Sequence, residues 1–381
     1  MSIRRTTTTA TTALLSALFQ RQSDNRLLED IFSAYYAARA NKRNTVSQVR
    51  FERNLSHNLV ELYNDILEHR YNPGRSMCFI IRDPVQREIF ASPFRDRIIH
   101  HYLYSKLEPV FEPALIYDSY SCRKGKGTLF GIQRLEHHIR SCSANYHHPC
   151  FILKLDIEGY FMKIDRRILF ERLMSRIDSL HLSGRLPEDF DYDTISFLLQ
   201  KTVFLNPASN CRIKGRMSDW KGLPDSKSLF KSAPGCGLPI GNLTSQLFSN
   251  IYLNGLDQFC KREMGCRHYG RYVDDFFIVD QSLARLKEAV PAIESFLSQE
   301  LHLSLNSNKT RIYPSSCGVP FLGAIVAPNG RFMRKRTRHL MERKYEYALC
   351  YETNPYSFQS MENSRRGFYS HFSCSLNNNT Q

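Results

Sequence analysis

Two adjacent aspartates, Asp274 and Asp275, constrain this chain more than any other feature. They follow His268-Tyr269-Gly270-Arg271-Tyr272-Val273 and precede Phe276-Phe277-Ile278-Val279. That pattern reads as a hairpin of two half-buried strands with the carboxylates at its turn. Neighbouring carboxylates repel, and burial raises the cost of ionising both. One account is an ordinary Asp-Asp turn, since both residues tolerate turn geometry. The other is a bound cation: hard Mg²⁺ takes carboxylate oxygens and keeps positions open for substrate phosphates.

Bulk properties narrow the partner. The 381 residues are 42% hydrophobic, enough for two or three lobes with a real core, and this excludes a largely disordered protein. Lys and Arg number 52 against 37 Asp and Glu, a net charge of +15. Such a balance points to a polyanion, nucleic acid first and an anionic membrane second. No apolar run approaches a bilayer span, and the Thr-rich stretch Thr6 to Thr12 lacks a signal-peptide core, so a soluble cytoplasmic protein is expected. The 11 cysteines include no Cys-x-x-Cys and read as reduced thiols. Two groups, Cys142/His147/His148/Cys150 and Cys260/Cys266/His268, lack the paired spacing of a structural zinc site and read as loop and core residues.

Along the chain, a flexible tail over residues 1–22 precedes two amphipathic helices. The second carries Phe51, Leu55, Leu59, Leu62 and Ile66 at helical spacing and stops at Asn72-Pro73-Gly74. Short strands are expected at Cys78 to Ile81 and Glu88 to Ala91, then a helix from about Arg95 to Leu107. The basic stretch Ser119 to Thr128 opens another helix through Ile132 and Leu135. Helices follow near Arg166 to Ile177 and Thr194 to Phe204, then a polar, basic connection over residues 206–234 holding the single tryptophan, Trp220. Connections of that length are usually functional or mobile. A helix is expected over Gly241 to Leu256, and another bearing Leu283, Leu286, Val290, Ile293 and Leu297, kinked or restarted at Pro291. Strands are read at His302 to Leu305 and Phe321 to Val326, and a basic, aromatic helical segment from Arg331 onward.

A third carboxylate joins the pair. Phe151-Ile152-Leu153-Lys154-Leu155 reads as a buried strand delivering Asp156 at its C-terminal end, where open sheets place ligands. A helix N-cap is the competing role for Asp156. Three such carboxylates can hold two cations about 3.5–4 Å apart, one activating an attacking hydroxyl and the other neutralising a leaving pyrophosphate.

The order of motifs is more specific than any one of them. A strand with Asp-x-x-x-x-Phe, a Gly-x-x-x-Ser helix, Tyr-Val-Asp-Asp, a lysine-bearing strand and Phe-Leu-Gly follow in sequence. This series resembles the palm of reverse transcriptases. The likeness continues upstream through Arg87-Glu88-Ile89, Pro93 to Ile99, Leu107 to Pro113 and Ser119-Tyr120, and covers about residues 45 to 375. It implies an α+β right-hand polymerase fold. Fingers with N-terminal helices would span 23–145, a ferredoxin-like palm 146–328, and a short helical thumb 329–381.

The resemblance also implies roles. Asp156 and Asp274 would bind two Mg²⁺ ions (Mn²⁺ being the usual substitute), with the Ile157 carbonyl as a supplementary ligand and Asp275 in support. Phe161 would crowd the sugar 2′ position and favour deoxynucleoside triphosphates, with ordinary packing as its other role. Arg123 and Lys124 would contact the triphosphate, or else form a solvated basic loop. Lys309 would lie near the pyrophosphate as a general acid, and Phe321-Leu322-Gly323 would grip the primer terminus. Arg334, Lys335, Arg336 and Arg338, with Arg331, Arg343 and Lys344, would track an RNA–cDNA duplex. Tyr345, Tyr347, Tyr351, Phe368, Tyr369 and Phe372 would pack inward.

One motif narrows the likeness. Most reverse transcriptases carry Gln-Gly-x-x-x-Ser-Pro at the nucleotide pocket, whereas this chain has Ile240-Gly241-Asn242-Leu243-Thr244-Ser245-Gln246. Together with Trp220 to Pro224 and Lys227 to Phe230, it resembles the reverse transcriptases of diversity-generating retroelements. That subtype implies error-prone copying of a template-repeat RNA opposite adenine, replacement of a variable repeat in a target gene, and a small basic oligomeric accessory protein. The host would be a bacterium, phage or archaeon. Group II intron or retron enzymes, and a polymerase-fold RNA-binding scaffold without catalysis, are the alternatives.

Overall fold

The computed structural model describes residues 26–40, 45–83, 85–352 and 355–372, so the tail expected over 1–22 lies outside the described residues. In chain order the elements begin with α1 (residues 26–40), α2 (Val46–Arg53), α3 (Leu55–Leu67), β1 (Ser76–Ile81), β2 (Arg87–Ala91), α4 (Phe94–Phe111) and α5 (Thr128–Cys142). They continue with β3 (Phe151–Asp156), α6 (Tyr160–Lys163), α7 (Arg166–Leu182), α8 (Tyr192–Val203), β4 (Cys211–Ile213) and α9 (Leu243–Gln258). Then come β5 (His268–Tyr272), β6 (Asp275–Asp280), α10 (Leu283–Leu301), β7 (Arg311–Pro314), β8 (Val319–Phe321), β9 (Ala324–Ala327), β10 (Gly330–Met333), α11 (Lys335–Tyr351) and α12 (Pro355–Tyr369). The chain forms two compact units: one from the residues up to Ala114 with Phe161–Tyr252, the other from Leu115–Tyr160 with the residues from Leu253 on.

The second unit is built on a four-stranded sheet of order β5-β6-β3-β7, antiparallel at every pair. The first strand in sequence, β3, lies between the third, β6, and the fourth, β7, and α10 joins those two. This is the strand order of a ferredoxin-like sheet, so the α+β class and the ferredoxin-like sheet expected from the sequence are present. β3 and β6 are central and apolar because both their faces are covered. Ile152, Leu153 and Leu155 are buried, as are Phe276 to Val279. α5, placed above within the fingers segment, packs on this sheet. Its Ile132, Leu135 and Ile139 share a core with Ile152, Phe277 and Val279. A three-stranded sheet of order β10-β9-β8 adds Val319, Phe321, Ala324 and Val326 to the same core.

Several local expectations change here. His302 to Leu305 is not a strand. His302 adopts a left-handed conformation (φ 51°) and caps α10, and Leu305 makes only an isolated bridge to Ile157. The alternation His-Leu-Ser-Leu arises because Leu303 and Leu305 both tuck inward from an irregular segment. The fourth strand is β7 instead, and Lys309 precedes it in a turn. Phe321 to Val326 is two strands, since Leu322 (φ 48°) and Gly323 (φ 85°) turn the chain between β8 and β9. α10 runs unbroken through Pro291, an exposed position, so the hydrogen bond that proline removes is lost on a face open to water. On α11, Tyr347 and Tyr351 are 66% and 69% exposed rather than packed inward. They lie four residues apart, on the side of α11 away from the contact of Tyr345 with Phe358 of α12.

The first unit holds α1 to α4, α7, α8 and a sheet of order β2-β1-β4. Its third strand comes from the 206–234 connection, whose Cys211–Ile213 pairs in parallel with Ser76–Cys78. Short 3-10 turns at Pro207–Ser209, Met217–Trp220, Asp225–Lys227 and Leu229–Lys231 occupy much of the rest. This connection is therefore a built element of the unit. Asp165 and Asp191 cap α7 and α8 by accepting from backbone N–H groups in the first turn, so helix capping falls to Asp165 and not to Asp156.

Candidate active site

The register of β3 against β6 sets the site. Asp156 stands directly opposite Asp275, and Asp274 occupies the hairpin turn beside them. Residues two apart on a strand share a face, so Lys154 and Asp156 lie on the face that also presents Asp275 and Phe277. Lys154 Nζ pairs with the Asp275 carboxylate at 3.0 Å. The same ammonium lies 5.3 Å from the centre of the Phe321 ring, which meets Phe277 edge to face. The turn after Asn306, whose N–H donates to the Asp156 carbonyl, brings in Lys309. Lys309 Nζ donates to both Asp156 oxygens, at 2.8 and 2.9 Å.

Two lysines thus neutralise two carboxylates, and among the described residues no ion pair joins Asp274. Its carboxyl is pushed up to about 6, first by burial and then by the Asp156 charge, with Asp275 adding to the effect. Burial also raises the Asp275 carboxyl, against the pull of Lys154. For Lys309, burial pulls the ammonium down, but the Asp156 hydrogen bond and the nearby carboxylates hold it above its ordinary value. A divalent cation would relieve this crowding. Among the described residues no three His, Cys, Asp or Glu side chains form a ready metal cage. Mg²⁺ is usually held by one or two carboxylates plus substrate phosphates and water. The donor set fits: hard oxygens only, short of positive charge at Asp274. The backbone of Ile157 is fixed beside it, with its N–H donating to the Asp274 carbonyl at 3.2 Å.

The turn itself is strained. Val273 has φ 56°, a left-handed conformation that a β-branched side chain disfavours, at a cost on the order of 1–3 kcal/mol. What holds it is Arg271. Its Nη1 donates to the Val273 carbonyl at 3.0 Å, while Nε and Nη2 grip Asp257 at 2.7 and 2.6 Å. Both side chains of this ion pair are fully buried, and Tyr269 Oη donates to the same carboxylate at 2.6 Å. The Arg271 backbone is clamped too, donating to the Asp118 carbonyl and accepting from Tyr120 N–H. Gly270 permits this approach, because a Cβ there would lie 2.2 Å from Tyr120 Oη and 2.6 Å from Phe277 Cζ. In the sequence Arg271 stands only as a flank of the aspartate pair, and nothing marks out Asp257. The available signal was a charged residue inside an otherwise strand-like segment.

The remaining sequence candidates fall as follows. The Arg123 guanidinium donates to the carbonyls of Ile116 and Ser119, at 2.6 and 2.8 Å, and so braces its own loop, while Lys124 is exposed on that loop. Phe321 is 1% exposed and supports the Lys154–Phe277 layer, leaving the Leu322-Gly323 turn as the accessible part of that motif. The Gly323 carbonyl accepts from Arg334 N–H at 3.0 Å, tying this turn to the start of α11. There Arg334, Lys335, Arg336 and Arg338 are exposed. In the other unit, Phe161, Ile240 and Trp220 each pack against one cluster of Cys78, Phe90, Met162 and Leu229. Gly241 (φ 123°) lies against β2, where a Cβ would sit 3.0 Å from Ile89 Cγ2, and Gln246 is exposed in the first turn of α9. No helix among the described residues is long and apolar enough to cross a membrane.

The family described as reverse transcriptase (RNA-dependent DNA polymerase) matches over residues 86–326. Protein YkfC of Escherichia coli (strain K12) is 24% identical over 328 residues, covering 77% of this chain and 76% of that protein. Among solved structures, apo telomerase from Candida tropicalis, truncated from its C-terminal domain, gives a TM-score of 0.45 at 14% identity over 69% of this chain. Telomerase from Candida albicans in complex with a fragment of telomeric RNA gives 0.44 at 12% identity over 79%. The chain spans 57% and 53% of the length of those two structures. With the family match running through β3, the Asp274–Asp275 hairpin and β9, this chain belongs to the reverse transcriptase family.

Proposed function

We propose that the chain is an active, low-fidelity RNA-directed DNA polymerase that copies a template-repeat RNA for mutagenic retrohoming. The observation that supports activity most is the facing pair Asp156 and Asp275 with Asp274 at the adjoining turn, its charges balanced only in part by Lys154 and Lys309. Asp156 and Asp274 would hold two Mg²⁺ ions, with the Ile157 carbonyl alongside. When bound, the metal lowers the pKa of the primer hydroxyl and neutralises the leaving pyrophosphate. Lys154 orients Asp275 and opposes the rise that burial imposes on its carboxyl. Lys309 holds a proton at Nζ on an ammonium that is 58% exposed, suited to protonate the pyrophosphate as it leaves. Exposed Arg334, Lys335, Arg336 and Arg338 would bind duplex phosphates, making affinity fall with salt.

The low-fidelity subtype rests on Ile240 and Gln246. Glutamine at the first position can hydrogen-bond an incoming nucleotide or template base, whereas isoleucine offers only an apolar surface. Losing that contact narrows the gap between correct and incorrect pairs, and about 1.4 kcal/mol of lost discrimination is about tenfold in error rate. The test is copying of an adenine-containing RNA template by the protein with its small basic accessory partner, followed by sequencing of the cDNA. Misincorporation should concentrate opposite adenine, and Ile240→Gln should lower it by about tenfold. An error spectrum unchanged by Ile240→Gln would remove this explanation. Faithful copying at adenine by the wild type would favour the group II intron or retron reading.

A further inference from the structure

Glu88 is a buried carboxylate, 1% exposed, on strand β2. Three donors converge on it from the 206–234 connection. Trp220 Nε1 and Ser228 Oγ each donate to Oε1 at 2.7 Å, and Leu229 N–H donates to Oε2 at 2.7 Å. All three are neutral, so the charge is met by hydrogen bonds, an arrangement that orients a segment strongly because each lost bond strands a buried acceptor. Weaker stitches run beside it: Arg82 to Asp219 at 3.0 Å, Gln86 to the Asp219 carbonyl at 2.9 Å, and Lys214 N–H to the Cys78 carbonyl at 2.8 Å.

What Glu88 holds in place reaches Phe161 and Ile240. Leu229 and Trp220 belong to the cluster of Cys78, Phe90 and Met162 on which both of those side chains rest. The backbone closes the same circuit. Phe90 N–H donates to the Ile240 carbonyl at 2.9 Å, and Leu238 N–H to the Phe161 carbonyl at 2.8 Å. Leu229 also seals the bend at Gly237 (φ 92°), where a Cβ would come within 2.5 Å of Leu229 Cδ1. A shift of Trp220 or Leu229 would therefore move the surface beneath Phe161 and Ile240 directly.

We infer that the 206–234 connection is a buttress that sets the shape of the nucleotide pocket, with Glu88 as the positioning residue that anchors it. The inference rests on the reading of Phe161 and Ile240 as pocket residues. Glu88→Gln turns the acceptor facing Leu229 N–H into a donor, and Trp220→Phe removes one donor while keeping an aromatic ring. Both variants should raise KM for deoxynucleotides by about fivefold or more with kcat changed by less than about twofold. Both should also reduce discrimination against ribonucleotides by a similar factor, and affinity for template–primer should stay unchanged. A merely structural role predicts less folded protein with normal KM and normal sugar discrimination in the folded fraction, and that outcome overturns the inference. Trp220→Phe gives the same readout if Glu88→Gln fails to fold. Phe161→Ala, measured in parallel, separates the two levels. If it leaves sugar discrimination intact, the pocket reading fails and the buttress with it. If it alters discrimination and Trp220→Phe does not, only the buttress fails.

Discussion

Asp274→Asn should have two opposite effects, abolishing polymerisation while making the metal-free protein more stable above pH 6. The loss of activity would follow from removing a carboxylate proposed to bind both ions, and is expected to be roughly a thousandfold or more. The gain in stability follows from crowding. The Asp274 carboxyl is raised from 3.8 in the unfolded chain to about 6 in the folded one, by burial first and Asp156 second. Between those values the folded state binds more protons than the unfolded state, so wild-type stability falls as pH rises through that window. Above it the full penalty is present, and asparagine removes it, for a gain of about 3 kcal/mol. Near pH 4 the two proteins should be alike. Urea denaturation in EDTA at several pH values checks this, and superimposable pH–stability curves would contradict the crowding account. Added Mg²⁺ should stabilise the wild type at pH 7.5 and leave Asp274→Asn almost unaffected.

Arg271→Met is expected to be the most destabilising single change near the site. It strands the fully buried Asp257 carboxylate, and breaking one side of such a pair typically costs about 3–5 kcal/mol. It also releases the Val273 carbonyl, so the left-handed turn that carries Asp274 loses its anchor. The double variant Arg271→Met with Asp257→Leu separates these effects. Replacing both partners with apolar groups should restore most of the stability, since buried ion pairs contribute little net free energy against a packed apolar substitute. Activity should stay low, because no donor then holds the Val273 carbonyl. Recovery of both stability and polymerisation in the double variant would show that Arg271 serves folding alone.

The parts legible in the sequence were those with local signals. β3 and the β5–β6 hairpin announce themselves by apolar runs flanking carboxylates, and the facing of Asp156 and Asp275 follows once the two strands pair. Lys309 could be picked out beside its asparagine, but the turn that delivers it to Asp156 looked like part of a strand. The apolar alternation at Leu303 and Leu305 comes from burial without strand pairing. Arg271 shows in the sequence only as a charge inside a strand-like segment, and its partner Asp257 leaves no local trace, since the pair joins an interior strand residue to the end of α9, 14 positions away. Phe321 was named for its motif, yet its ring is buried under Lys154, and only the packing of β8 against β6 reveals that. The 206–234 connection looked like a free loop because polar and basic residues dominate it. Its order comes from one distant carboxylate, Glu88, and from Trp220 and Leu229 reaching a core they do not neighbour in sequence.

The central claim is that Asp156, Asp274 and Asp275 form a working polymerase site. Its most direct test is primer extension on an RNA template with Mg²⁺ and deoxynucleotides, comparing the wild type with Asp274→Ala plus Asp275→Ala at matched template–primer occupancy. The account predicts full-length cDNA from the wild type and none from the double variant, with both binding template–primer. A wild type as inert as the variant, while still binding RNA, would contradict the account and leave an RNA-binding scaffold in its place.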